Sequence, residues 1–145
     1  MKISINAEEF LRGVEATKEE IDERVYQAMV GACIEIEAAA KMKIPKGERD
    51  GLQASIAYRV IPIGFSEACY VGEVGSPLFY APFVHEGTGI YSRTGMGRKD
   101  VPWSYQDEDD EWHTTSGMQP NPFLEKAADE KRSRIPEIFV EKLKG

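Results

Sequence analysis

The chain is poor in the residues that build most catalytic and metal sites. Its 145 residues contain two cysteines, Cys33 and Cys69, and two histidines, His85 and His113. The cysteines form no Cys-x-x-Cys pair, which argues against a structural zinc site or a thioredoxin-like motif. Cys33 falls in an apolar helical pattern and Cys69 in an apolar strand pattern. Both are expected to be buried free thiols, in keeping with a reducing cytoplasm. Positive charge is scarce too: 18 Lys and Arg stand against 25 Asp and Glu, a formal net charge of −7. The basic residues are scattered among acids, so neither a phosphate backbone nor an anionic membrane meets the clustered cations it needs. No window approaches the ~18 apolar residues of a membrane span. No apolar h-region comes after Met1–Ile5, so no signal peptide is expected. Repeats and low-complexity segments are missing as well.

What remains has the balance of a folded domain, 41% hydrophobic and 30% charged. That argues against disorder, and the length suits one domain, 1–145, with one core.

Ile3 and Ile5 alternate with polar residues as in a short strand, and Asn6 with Glu9 has the spacing to open a brief helix. Thr17 and Glu20 form a capping-box pair. Behind them Ile21, Val25, Ala28, Met29, Ala32, Ile36, Ala39 and Met42 recur mostly at three or four residues, as one stripe of a helix. Pro45 stops it. The pattern predicts a helix over Lys18–Lys43, about 40 Å at roughly 1.5 Å per residue. That is long for so small a domain, and part of the stripe is expected to need a neighbour outside the chain.

A polar, Gly-bounded loop covers 46–51. Leu52–Ile61 reads as a strand, with a turn near Gly64–Glu67 and Ala68–Gly75 returning beside it, Tyr70, Gly72 and Val74 sharing one face. Tyr80–His85 is apolar, but Pro82 cannot donate to a ladder, so this run is an edge strand or a short helical turn. Arg93–Lys99 is a basic loop. Val101–Tyr105 and Glu111–Thr115 flank an acidic turn and predict a hairpin with Trp103, Tyr105 and Trp112 as cross-strand partners. Asn121, with Pro122 at the first helical position and Glu125 near the positive end, starts a helix with Phe123, Leu124, Ala127 and Ala128 inside. Pro136 is expected to kink or break the chain beyond this helix, leaving Ile135–Leu143 as a last short amphipathic segment. The fold class is therefore α+β: a long N-terminal helix on a small antiparallel sheet from 53–63, 68–75 and 80–85, an extra β-hairpin inserted at about 91–117, and a C-terminal helix.

The motifs offer little chemistry. His85-Glu86 could act as an acid–base pair, but no third group orients the imidazole, and a packed or loop-end histidine accounts for it better. His85 with His113, Glu86 or Asp107 matches no metal-ligand spacing. The acidic run 107–111 lacks the order of a calcium loop and reads as a solvated tip, held extended by repulsion and able to meet a basic partner. Gly87-x-Gly89 and Gly95-x-Gly97 are fragments of a phosphate loop with no Lys-Ser/Thr behind them. Trp103, Tyr105 and Trp112 could stack bases, but their surroundings are acidic. No catalytic, cofactor or metal site is expected. The long helix, the aromatic hairpin and the loops 46–51 and 87–99 are extended features that neighbouring copies would stabilise.

Several segments occur in an order that resembles a known family. Asp50-Gly51-Leu52-Gln53-Ala54-Ser55-Ile56 comes after the long helix. Tyr80-Ala81-Pro82-Phe83-Val84-His85-Glu86-Gly87-Thr88-Gly89 and Gln119-Pro120-Asn121-Pro122-Phe123-Leu124 come later. Together they resemble the HK-ninety-seven gp-ten-like family of tailed bacteriophages and prophages, whose motifs read like "TGxLxxSI", "YAxYVEFGTG" and "QPxPFLxPA". Leu52, Ser55 and Ile56 match the first, while Arg49 and Asp50 replace its Thr and Gly. Phe83 replaces the second Tyr, His85-Glu86 replaces Glu-Phe, and Lys126-Ala127 replaces Pro-Ala. Tyr91–Gly117 is similar to members carrying "PWxYxDExGxWHxTxG", with Asp110 for the inner Gly. The resemblance covers about Ile21–Glu130.

It implies a non-enzymatic virion protein, a minor tail component or head–tail connector. Such a protein self-assembles as a ring, commonly six-fold, at the neck or tail and is made in the host bacterial cytoplasm. Partners would be further copies and neighbouring neck or tail proteins, with no membrane and no specific nucleic-acid partner. Candidate subunit contacts are Tyr80, Phe83, His85, Glu86, Gly87, Gly89, Trp103, Tyr105, Trp112, Pro122 and Phe123. Two alternatives stay open. One is a small metal-dependent hydrolase using His85, Glu86 and His113. The other is an adaptor that binds a basic host partner through the acidic tip.

Overall fold

The computed structural model describes residues 7–45, 50–64 and 69–144. The expected strand at Ile3 and Ile5, the Asn6 cap, residues 46–49 of the polar loop and residues 65–67 of the first turn lie outside them.

Helix α1 runs from Ala7 to Met42, 36 residues without a break. It begins well before the predicted start. Thr17 is not an N-cap, for its Oγ1 donates to the Gly13 carbonyl one turn back, 2.9 Å away. Strong helix formers and i,i+4 pairs such as Arg24 with Glu20 and Gln27 with Glu23 carry the helix through Gly13, whose cost is only about 1 kcal/mol. Among the described side chains none between Ala7 and Ile21 is buried, so the first half of α1 stands out from the body. Further on, Ala28, Ala32, Cys33, Ala39 and Ala40 are buried. Met42 was expected on the same stripe and is 81% exposed. It lies two residues past Ala40, on the far side of a 3.6-residue turn. The helix ends as predicted, tightening through Lys43 and Ile44 before Pro45.

The segment read as one strand from Leu52 divides in two. Helix α2, Asp50–Ser55, comes first, and strand β1, Ala57–Pro62, comes second. Leu52 and Ile56 are four apart, so one helical turn delivers both to the core, where each is at most 1% exposed. Ser55 Oγ donates to the Leu52 carbonyl and meets Ser76 Oγ, both at 2.7 Å. Strand β2, Tyr70–Gly75, pairs antiparallel with β1, Val60 opposite Gly72. Tyr70, Gly72 and Val74 share one face, as the alternation predicted, and it is the less exposed one, with Tyr70 and Gly72 against α1. A Cβ on Gly72 would strike Cys33 Sγ and Met29 Sδ, so the glycine sets how closely α1 lies on the sheet. Burial pushes the Cys33 thiol pKa up. Cys69 is exposed, against expectation. It precedes Tyr70, and the inward position is taken by the Tyr70 ring, which packs edge-on against Tyr26 and donates its hydroxyl to Asp22.

Tyr80–His85 is helical, not an edge strand. Helix α3 spans Ala81–Glu86, with Pro82 in its first turn where a missing N–H costs nothing. Among the described residues the β1–β2 pair therefore gains no third strand. Strands β3, Trp103–Gln106, and β4, Trp112–Thr115, form a second two-stranded sheet of their own. Helix α4 is Phe123–Lys131 and helix α5 Arg134–Lys144. Pro136 sits in the first turn of α5 and starts that helix; the break falls at Arg132–Ser133. Asn121 does not cap α4. Its Nδ2 donates instead to the Lys43 carbonyl, 2.9 Å away, and ties the end of α1 to the start of α4. Ala39, Ala40, Ile44, Leu52, Ile56, Ala81, Val84, Phe123 and Ala127 form the core. Helix α5 packs along α1 with Ile138 against Gly31. Glu35 on α1 holds Lys131 and Arg134, both at 3.2 Å, and these cations keep its carboxyl below the usual range.

Candidate functional site

Two of the signature segments meet as one joint. Asn121 N–H donates to the Val84 carbonyl, and Thr88 N–H donates to the Met118 carbonyl, each at 2.9 Å. Met118 N–H donates to Thr88 Oγ1 at 2.9 Å, and Ile90 N–H to the Ser116 carbonyl at 3.2 Å. The glycines are what let these backbones touch. Gly89 has φ 60° and Gly117 φ 126°. A Cβ on Gly89 would collide with the Ser116 carbonyl oxygen, and one on Gly117 with the Thr88 carbonyl oxygen. Gly97 is closed in the same way by the Gly89 carbonyl oxygen.

The expected contact residues divide by depth. Gly87, Gly89 and Phe123 are buried inside the chain, so they support the joint from within. Tyr80 and Pro122 are partly buried. Phe83 is 55% exposed, and Phe79 beside it 84%.

His85 and Glu86 sit next to Phe123. His85 Nδ1 lies 2.6 Å from Glu86 Oε1, and the imidazole meets the Phe123 ring edge-on, 5.2 Å between centroids. With the proton on Nδ1, Nε2 is an acceptor, and it is buried without a partner among the described residues. The pair lines a cavity of about 280 Å³ with Ser76, Pro82 and Leu124. Ligand atoms of His85, Glu86 and Glu125 lie within 4.8 Å of one another. A cation already holds this place: Arg93 Nη2 donates to both oxygens of Glu125, at 2.9 and 3.2 Å, and Nη1 is 4.0 Å from Glu86. Each partner reinforces the other's charge, so the Arg93 pKa is raised and the Glu125 pKa lowered. A divalent ion would have to displace Arg93, and the site fits a metal poorly. His113 is not gathered here. It groups with Asp107 and Glu111 on the hairpin, so the three residues of the hydrolase reading fall into two separate clusters.

The hairpin departs from the aromatic trio expected of it. Trp103 faces Thr115, Tyr105 faces His113 and Gln106 faces Trp112. Tyr105 stacks on His113, 5.4 Å between centroids, while Arg98 covers the Trp103 ring at 5.2 Å. Among the described residues Trp112 has no aromatic partner, and it is 71% exposed. The acidic tip sets this register. Asp107 Oδ1 accepts from the N–H of Asp109 at 3.0 Å and of Glu111 at 2.9 Å, and Oδ2 lies 2.6 Å from His113 Nε2. Asp110 takes φ 61°, which Asp tolerates. The tip is thus folded on Asp107, not stretched by repulsion. The His113 bond above all, then the Glu111 amide, hold the Asp107 carboxyl below the ordinary aspartate range.

A second cavity, about 370 Å³, opens between α3 and the inserted segment. Pro82, Phe83, Met96 and Trp103 line it, and Arg98 lies at it as well. Sequence reasoning missed it because its walls come from three separate stretches. The signal that was there is a run of large apolar residues at places with no core to enter.

No helix among the described residues is long and apolar enough to cross a membrane. No protein family, curated protein or solved structure matches the chain.

Proposed function

We propose that this chain is a non-enzymatic structural protein of a tailed bacteriophage or prophage that acts in virion morphogenesis, joining heads to tails or completing tails by ring-like self-association. The reading starts from the family resemblance of its ordered motifs. The observation that carries it is what those motifs build. Tyr80–Gly89 and Gln119–Leu124 are hydrogen-bonded into one joint, and large apolar side chains stand outside in or beside it and the insertion: Phe79, Phe83, Met96 and Trp112, 84%, 55%, 90% and 71% exposed. Phe83 and Met96 come together at one cavity, and contiguous exposed apolar surface supports a face covered by protein. The net charge of −7 suits a partner surface of protein, and along a channel that DNA must traverse it would discourage sticking.

On this reading the protein works at the neck or tail of the virion, beside other neck or tail proteins, after assembly in the host cytoplasm. Deleting its gene from a phage that carries it is the direct test. Filled heads and separate tails are expected by electron microscopy. Normal joined particles from the deletion would overturn the role.

A further inference from the structure

We infer that the tip of the inserted hairpin binds a divalent transition-metal ion of zinc's class, with Asp107, Glu111 and His113 as its protein ligands and water completing the coordination. The inference concerns the insertion alone and does not depend on the virion role proposed above.

The fold of the tip brings together residues whose sequence spacing matches no ligand pattern. Asp107 N–H donates to the Glu111 carbonyl at 3.0 Å, so the ladder of the hairpin runs one pair past β3 and β4. Glu111 and His113 are two residues apart and share a face, while Trp112 between them turns to the other. Ligand atoms of Asp107, Glu111 and His113 lie within 4.8 Å of one another. Tetrahedral bonds to zinc set such atoms roughly 3.3 Å apart, an adjustment within reach of side-chain rotation.

Two of the three ligands are held in advance. Asp107 Oδ1 accepts the amides of Asp109 and Glu111, at 3.0 and 2.9 Å, which fixes the carboxylate with Oδ2 toward the imidazole. The Tyr105 ring stacks on His113, 5.4 Å between centroids. Supports of this kind orient ligands before an ion arrives. His113 Nε2 lies 2.6 Å from Asp107 Oδ2, the separation of two atoms that share a proton. On binding, each gives a lone pair to the ion and the proton passes to water. The Asp107 and His113 side chains are 32% and 43% exposed, so the ion has a way in.

Charge separates this cluster from the one at the joint. There Arg93 donates to both oxygens of Glu125 and fills the space beside Glu86 and His85. At the tip, no Lys or Arg among the described residues pairs with Asp107 or Glu111, and residues 106–111 hold five acids and no base. A cation there displaces no resident charge and relieves repulsion among the carboxylates. The ligand set also selects the ion. Imidazole with carboxylate suits zinc, whereas calcium and magnesium take oxygen ligands throughout.

The test titrates zinc chloride into the untagged, chelator-treated full chain by isothermal calorimetry, with amide NMR shifts followed in parallel. One ion per chain is expected, with the largest shifts at Asp109, Glu111 and His113. His113→Gln and Glu111→Gln each remove a ligand and should weaken binding at least about 10-fold, with circular dichroism unchanged. Glu125→Gln alters only the cluster at the joint and should bind zinc as wild type does. A roughly hundredfold excess of calcium should not displace the zinc. No binding at about 100 µM zinc would overturn the site. So would full affinity in His113→Gln or Glu111→Gln, or NMR shifts centred on the joint instead of the tip. Displacement by calcium would reduce the tip to an unspecific cluster of acids and would overturn it equally.

Discussion

Nine apolar residues between Ala39 and Ala127 are buried in contact with one another, and they come from α1, α2, α3, α4 and the short connections after α1 and α2. Across 91–117 no residue is buried. The helical body is held by removing apolar surface from water. The insertion is held by close backbone approach at its base and polar bonds at its tip: Asp107 to two amides and His113, Ser104 to Thr114, Gln106 to the Asp110 carbonyl. The two regions thus answer differently to substitution. The body should unfold when a cavity is made in it. The insertion should lose shape locally when a bond or a glycine is lost, and lose almost nothing when an aromatic is removed.

The largest effect belongs to Phe123→Ala. The ring is 1% exposed and packs against His85 and the core, so its loss should cost about 3–5 kcal/mol by urea denaturation. Leu52→Ala, fully buried in α2, should cost about 2–5 kcal/mol. A loss under about 1 kcal/mol at both positions would mean that the core does not hold the body together.

Gly89→Ala comes next and probes the joint between the regions. Positive φ alone costs a non-glycine residue about 1–2 kcal/mol, and here the new Cβ also meets the Ser116 carbonyl. Gly95 is the control. Its φ is 72°, but no described atom lies within 4 Å of the Cβ position, so Gly95→Ala carries only the backbone cost. Equal destabilisation by the two variants would show that the close approach contributes nothing.

The same division explains what the sequence disclosed. Features fixed by local periodicity were legible: the long helix up to Pro45, the β1–β2 hairpin with Tyr70, Gly72 and Val74 on one face, the inserted hairpin and the Phe123 helix. Features decided by competition or by distant contacts were not. Leu52 and Ile56 satisfy a strand and a helix equally on paper, and the core chose the helical turn that buries both. Tyr80–His85 became a helix because Pro82 is cheap in a first turn and no third strand was available to pair. That Trp112 lacks an aromatic partner among the described residues follows from the register the Asp107 tip sets, a side-chain effect that alternation does not encode. The glycine contacts at the joint bring together residues far apart in sequence. In the candidate site the His85–Glu86 pair was legible, but the Arg93–Glu125 clamp across it was not.

Trp112→Ala should leave the stability of the isolated chain within about 0.5 kcal/mol of wild type, as befits a side chain 71% exposed. Set beside Phe123→Ala, it is the sharpest statement of the comparison: two large aromatics, one buried in the core and one exposed at the hairpin. A loss comparable to that of Phe123→Ala would place the hairpin inside the cooperative unit.

The smallest effect is local and depends on pH. The folded tip lowers the Asp107 pKa, chiefly through the His113 bond and then through the Glu111 amide. A depressed carboxylate favours the folded form when ionised. Its contribution is therefore complete above the ordinary aspartate value, near 3.8, and is lost as pH falls through the lower folded value. The amides of Asp109 and Glu111 both donate to this carboxylate. In an NMR titration they should shift together below about pH 4 while the core amides near Leu52 and Phe123 hold their positions. Asp107→Asn keeps a side-chain acceptor but cannot ionise, so it should abolish the acid transition of these two amides and leave the core unchanged. If tip and core amides moved at one pH, the insertion would not be an independent unit, and the contrast between the two regions would fail at its most sensitive point.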